Sequence, residues 1–184
     1  LEFPHLLGIL NKNQFDTIYH EHFSYLSFTT LKSIFENHGL EFFDVQELST
    51  HGGSLRIFAK HIEDKSKPIE SSVKILLDKE LALGVNTLSY YKGFQEKIEK
   101  IKYDFLLFLM KSKSEGKKVV AYGAAAKGNT LLNYCGIKGD DLISLVMDAS
   151  PFKQNKFLPG SRISVQNPEI INDIKPDYVI IFPW

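Results

Sequence analysis

A chain of 184 residues with 43% hydrophobic side chains has enough apolar material for a buried core and suits one large domain or two small ones. Its 22 basic side chains balance 22 acidic ones without a basic block, so the electrostatic footprint of a nucleic-acid or anionic-membrane binder is missing and a small-molecule partner is expected. One cysteine, Cys135, excludes an internal disulfide and a multi-thiolate zinc site, no apolar run approaches the roughly 20 residues of a membrane span, and a cytoplasmic protein is expected.

The chain opens on Leu1 and closes on Pro-Trp straight after an apolar strand pattern, which reads as a fragment of a longer polypeptide. TTLKSIFENHGL places Leu31, Ile34 and Phe35 at helical spacing, with Thr29 or Thr30 as cap and Gly39 as stop, and predicts a short helix. EFFDVQEL and SLRIFAK read as strands joined by the reversal STHGG, an antiparallel hairpin. Residues 61 to 72 are polar and carry Pro68, the mark of a surface loop. From about 73 to 114 the pattern is long-helical with one break near Gly84.

Beyond that point the rhythm changes. KKVVAYG reads as a buried strand, AKGNTLLNYCG as a helix, DLISLVMD as a strand, 168 to 174 as a helix and PDYVIIFP as a last strand. Strands and helices in alternation predict a parallel, Rossmann-like sheet. The expected fold class is therefore α/β: residues 1–85 supply a helix, an antiparallel hairpin and a connecting segment, and residues 86–184 form a Rossmann-like domain.

Three stretches carry chemistry. FDTIYHEHFSYLS gathers Tyr19, His20, Glu21 and His22 between aromatic and aliphatic flanks, which predicts dry surroundings. The zinc-protease pattern needs two histidines four apart, and YHEH does not provide it, so no metal site is expected. A general base flanked by a carboxylate and a phenol fits better, because histidine titrates near neutrality and its neighbours can fix its tautomer and hold an oxyanion. Hydrogen-bonded core residues are the plain alternative.

The second stretch, VVAYGAAAKGNTLLN, runs from a strand through a glycine turn into a helix, the outline of a phosphate cradle. Gly123 and Gly128 match the first and third glycines of the dinucleotide fingerprint, but Ala125 replaces the middle one, and Lys127 precedes Gly128, against the P-loop order. Asp148, ending the next strand, lies near where a ribose-binding acid would sit. A nucleotide, a dinucleotide or a packing turn of small residues all remain open on these residues alone. The third stretch is THGGSLR, where Gly52 and Gly53 serve the turn and Arg56 is either an ion-pair partner or an anion ligand. A further loop, SPFKQNKFLPG, brings Lys153, Gln154 and Lys156 to the carboxyl edge of the sheet.

In order and spacing, FDTIYHEHFSYLS, ELSTHGGSLRIF, VVAYGAAAKGNTLLNY, SPFKQNKFLPG and PDYVIIFPW together resemble the C-terminal half of S-adenosylmethionine-dependent sugar C-methyltransferases. The resemblance implies methylation at C3 of a nucleotide-linked 4-keto-deoxysugar, with residues 1 to about 60 as the tail of a methyltransferase domain and S-adenosylmethionine bound mainly by residues outside this chain. It implies His22 as the base, Tyr19 and Glu21 as holders of the keto oxygen, and Gly123, Lys127, Gly128, Asn129, Lys153 and Arg56 as contacts to the nucleotide diphosphate. Asn155 departs from the pattern, where a glycine is expected. Two other readings are an NAD(P)-binding module of an oxidoreductase and a non-catalytic nucleotide-sugar-binding module.

Overall fold

The computed structural model describes residues 1–182; Pro183 and Trp184 of the terminal motif lie outside them. The chain forms two compact units, one from Leu1–Phe15 with His22–Gln95, the other from Asp16–Glu21 with the residues from Glu96 onward.

In the first unit, strands β2 (Leu40–Leu48) and β3 (Ser54–His61) form the expected antiparallel hairpin, with a bulge between Phe42 and Asp44. Gly52 and Gly53 make the reversal at φ 86° and 132°, backbone that only glycine adopts at little cost. A third strand, β1 (Glu2–Pro4), pairs with β3 on its other edge. Three residues are too few to show a period of two, so this strand has no sequence signature.

Helix α1 (Leu6–Asn11) follows β1, and α2 (Phe28–Glu36) is the expected helix with a different start. Its cap is Ser27 rather than Thr29 or Thr30: the Ser27 Oγ accepts the Thr30 N–H at 3.1 Å. The cap lies earlier because Phe28 and Leu31 together turn toward the core, where they meet Phe42, Val45, Leu55, Ile57, Val73 and Leu76.

Helix α3 (Ser71–Leu83) ends as expected at Gly84, which takes the left-handed C-cap at φ 72°. A second break follows, absent from the expected pattern: α4 (Leu88–Tyr91) is a single turn, and Gly93 at φ 78° precedes α5 (Phe94–Ser114).

In the second unit, a five-stranded sheet has the order β6-β7-β5-β4-β8, from β4 (Val119–Tyr122), β5 (Val146–Met147), β6 (Lys156–Phe157), β7 (Ser164–Gln166) and β8 (Tyr178–Ile181). Strands β7, β5, β4 and β8 run parallel, and only β6 is antiparallel. Counting the parallel strands in chain order gives 3-2-1-4, the Rossmann-like arrangement, whose order reverses at β4. Leu109 of α5 and Leu132 of α6 (Ala126–Tyr134) pack with Val119, Ala121, Val146 and Val165, while Val120, Leu145 and Met147 meet Ile170 and Ile174 of the segment containing α7 (Ile171–Ile174). Both faces of the parallel sheet are thus covered, as its apolar strands require.

DLISLVMD is strand only at Val146–Met147. Its earlier apolar residues are used differently, since Ile143 is fully buried from a non-strand segment. The region 168 to 174, expected to be one helix, begins as a 3-10 turn at Pro168–Ile170 and becomes α7 only at Ile171. In the SPFKQNKFLPG loop, Asn155 has φ 60°. Asparagine tolerates this left-handed conformation better than most side chains, which accounts for its standing where glycine is expected.

Candidate functional site

The site in the second unit grows from β4. At its carboxyl end Gly123 takes φ 91° and turns the chain toward α6. The Gly123 N–H donates to the Met147 carbonyl at 2.7 Å, and the Phe182 N–H donates to the Tyr122 carbonyl at 3.0 Å, so the turn is held by strands on both sides. This is the point where strand order reverses, where open α/β sheets bind ligands.

The Asp148 carboxylate closes one wall. Its Oδ2 accepts the Ala124 N–H at 2.7 Å and the Lys153 ammonium at 3.2 Å, and its Oδ1 accepts the Ser150 N–H at 2.8 Å. Lys153 also donates to the Ala124 carbonyl at 2.9 Å, and the Gln154 amide donates to the Asp148 carbonyl at 3.0 Å. Burial would raise the Asp148 pKa, but these N–H donors and the Lys153 charge outweigh it and hold the carboxyl below its ordinary 3.8. A ribose diol would have to compete with these partners, since the acid that dinucleotide sites present to ribose joins two loops of the protein here.

Helix α6 starts after Ala125, whose methyl group cannot cap it. This contrasts with α2, where Ser27 Oγ and the Glu80 carboxylate receive the first N–H groups. An uncapped helix start presents N–H groups and the positive end of its dipole, a fitting host for phosphate.

The nominated residues at this turn do different things. Gly123 shapes it. Gly128 is buried in α6, where an added Cβ would lie 2.5 Å from the Phe182 Cγ, so this glycine lets helix and strand approach closely. Gly128→Ala is expected to lower stability by about 1–3 kcal/mol through overpacking, measured by urea unfolding, with Phe182→Ala in the same chain recovering part of the loss. Asn129 buries its Oδ1 without a hydrogen-bond donor. Burial pushes the Lys127 pKa down while the Asp16 carboxylate opposes the shift. Lys153 is tied to Asp148 and Ala124 as described.

The YHEH segment follows a 3-10 turn at Phe15–Thr17 and has no regular structure until α2. Tyr19 and His22 are half-buried, whereas His20 and Glu21 are exposed. Tyr19 meets His20 edge-on at 6.0 Å between ring centroids, and His22 meets Tyr25 at 6.4 Å. The expectation of dry surroundings is corrected: Phe23 is 95% exposed and Ile18 is 48% exposed. Of the apolar flanks, Phe28 enters a core and these two do not.

Arg56 lies in the first unit, opposite Glu2 in the β1–β3 ladder, and its Nε and Nη2 donate to Glu2 Oε2 at 3.0 and 2.8 Å. That geometry favours the surface ion pair over a ligand contact.

Sequence reasoning missed two buried acid networks. The Asp148 clamp could have been suspected from Lys153 and Gln154 following the acid so closely. Glu80 carried no local signal. In the first unit its fully buried carboxylate accepts the His5 Nε2 at 2.8 Å, the Phe28 N–H at 2.8 Å, the Thr29 N–H at 2.7 Å and the Thr29 hydroxyl at 2.6 Å.

Comparison with known proteins shows the family of the chain. Residues 49–184 match the family described as the C-methyltransferase C-terminal domain. The chain is also 37% identical, over all 184 of its residues, to the C-methyltransferase NovU of Streptomyces niveus. It spans 43% of that relative's length. With a parallel sheet that reverses order at the Gly123 turn and a family match across most of its residues, the chain belongs to the C-methyltransferase family.

Proposed function

We propose that this chain is part of a sugar C-methyltransferase, and that its second unit holds the diphosphate of a nucleotide-linked 4-keto-deoxysugar at the start of α6. The observation that carries the reading is the strand–turn–helix at Gly123, with Ala125 leaving the α6 N-terminus without a cap from its own side chain, at the point where strand order reverses, in a chain of this family. Lys127 adds a cation in the first turn of the helix.

In the proposed reaction His22 removes the proton from the carbon beside the ketone. The C–H electron pair moves into the enolate, and the keto oxygen takes up the charge. Tyr19 donates a hydrogen bond to that oxygen, and Glu21 orients the imidazole; a phenol and a carboxylate beside a histidine suit these roles. His20 supports the segment through its edge contact with Tyr19.

S-adenosylmethionine, the donor that membership of a methyltransferase family implies, supplies an electrophilic methyl group. The described residues do not fit it with a pocket: their one strand, glycine turn and helix is the 119–134 segment, and its neighbouring acid Asp148 is already bonded to Ala124, Ser150 and Lys153. The chain by itself is therefore expected to show no methyl transfer, and turnover with S-adenosylmethionine in a radiolabel assay would refute this.

Calorimetry tests the binding reading. A thymidine diphosphate should bind the chain and NAD should not, because a ribose diol would compete at Asp148 with Ala124, Ser150 and Lys153. Binding of NAD without the diphosphate would favour an oxidoreductase module and overturn the proposal.

A further inference from the structure

We propose that Phe152 is the stacking platform for the nucleobase of the bound nucleotide, an inference that rests on the diphosphate lying at the start of α6. Phe152 is 80% exposed, and it sits in a turn whose two ends are held. Ser150, Pro151, Phe152 and Lys153 form a turn closed by the Lys153 N–H donating to the Ser150 carbonyl at 3.0 Å. Proline in its second position fixes that residue's φ in advance. Asp148 Oδ1 anchors the start of the turn through the Ser150 N–H, and Lys153, the next residue after the ring, fixes its end by reaching Asp148 Oδ2 and the Ala124 carbonyl.

The placement follows from the topology. β5 is the neighbour of β4 on the side away from β8, and the loop after β5 is the next feature along the carboxyl edge from the Gly123 turn. The Lys153 contact to Ala124 at 2.9 Å brings this loop against the turn itself. A nucleoside leaving a diphosphate at α6 toward β5 therefore crosses the Asp148 clamp and meets the turn that carries Phe152. Asp148 already accepts three donors from the protein, and the ring lies beyond it on this path.

A phenyl face held in water at the sheet's ligand edge is an apolar cost with no core to justify it, whereas a fixed aromatic loses little freedom when a base stacks on it. Base stacking on an aromatic side chain is tolerant of base identity, so this platform supplies affinity rather than a choice among nucleobases.

The test compares the wild-type chain with Phe152→Ala and Phe152→Tyr, titrated with thymidine diphosphate and with inorganic pyrophosphate. Stacking on an aromatic is worth about 1–3 kcal/mol per base, so Phe152→Ala should weaken the nucleotide roughly 5- to 100-fold. Pyrophosphate affinity should stay unchanged, and Phe152→Tyr should keep nucleotide affinity near wild type. The ring is exposed, so a melting curve matching wild type is expected for both variants. Equal nucleotide affinity in wild type and Phe152→Ala would overturn the platform while leaving the diphosphate site standing. Equal losses of nucleotide and pyrophosphate would also overturn it, by making Phe152 a support for the turn. If wild type binds neither, the diphosphate reading fails and the platform falls with it.

Discussion

His22→Asn in the full-length protein is expected to slow methylation about 10²- to 10⁴-fold, the usual cost of losing a general base, while nucleotide affinity and melting temperature hold. Asparagine is polar and of similar size but cannot take the proton. His22 is half-buried outside any helix or strand, and its ring meets Tyr25 at 6.4 Å between centroids. Single-turnover rates would read the effect. If Tyr19→Phe slows the reaction as much while His22→Asn does not, the phenol is the essential group and the histidine a structural one.

Glu80→Ala is expected to be the most destabilising change in the first unit, by about 3–5 kcal/mol, because it leaves several buried donors unpaired at about 1–3 kcal/mol each. It would leave His5 without its carboxylate and strip the start of α2 of the acceptor for the Phe28 and Thr29 N–H groups. Against the roughly 5–15 kcal/mol typical of a domain, about a fifth or more of the stability is at stake. Urea unfolding measures it, and Glu80→Gln should fall between alanine and wild type.

The same residue sets a dependence on acid. Burial would raise the Glu80 pKa, but the bonds from His5, Thr29 and Phe28 outweigh that and hold it below its ordinary 4.5. A carboxyl with a depressed folded-state pKa contributes its full stabilisation above 4.5 and loses it as pH falls through the folded value. Wild type should therefore lose stability below about pH 4.5 more steeply than Glu80→Gln. Parallel curves would show that other groups carry the acid response.

Local pattern made part of this molecule readable. The hairpin, α2, the Gly84 stop and the strand–turn–helix at Gly123 all announce themselves through period, glycine or cap chemistry within a few residues. Strands β1, β5, β6 and β7 span two or three residues each and are set by the pairing of distant backbone, which no short window contains. Glu80 looks like one more helical acid until α2 is brought against it, and its partner Phe28 lies 52 residues away. Gly128 read as a ligand glycine because the fingerprint places it near phosphate, but its neighbour Phe182 comes from the last strand region and shows a packing role. The YHEH segment misleads as to environment, since the apolar character of Phe23 and Ile18 does not bury them.

The central claim is that His22 removes the proton beside the sugar ketone, and solvent exchange isolates that step. The full-length protein would be incubated in deuterated buffer with a nucleotide-linked 4-keto-deoxysugar and no methyl donor, and the sugar followed by proton NMR. The account predicts that the signal of the hydrogen next to the ketone disappears with wild type and persists with His22→Asn at matched nucleotide occupancy. Equal loss of that signal with both proteins would contradict it.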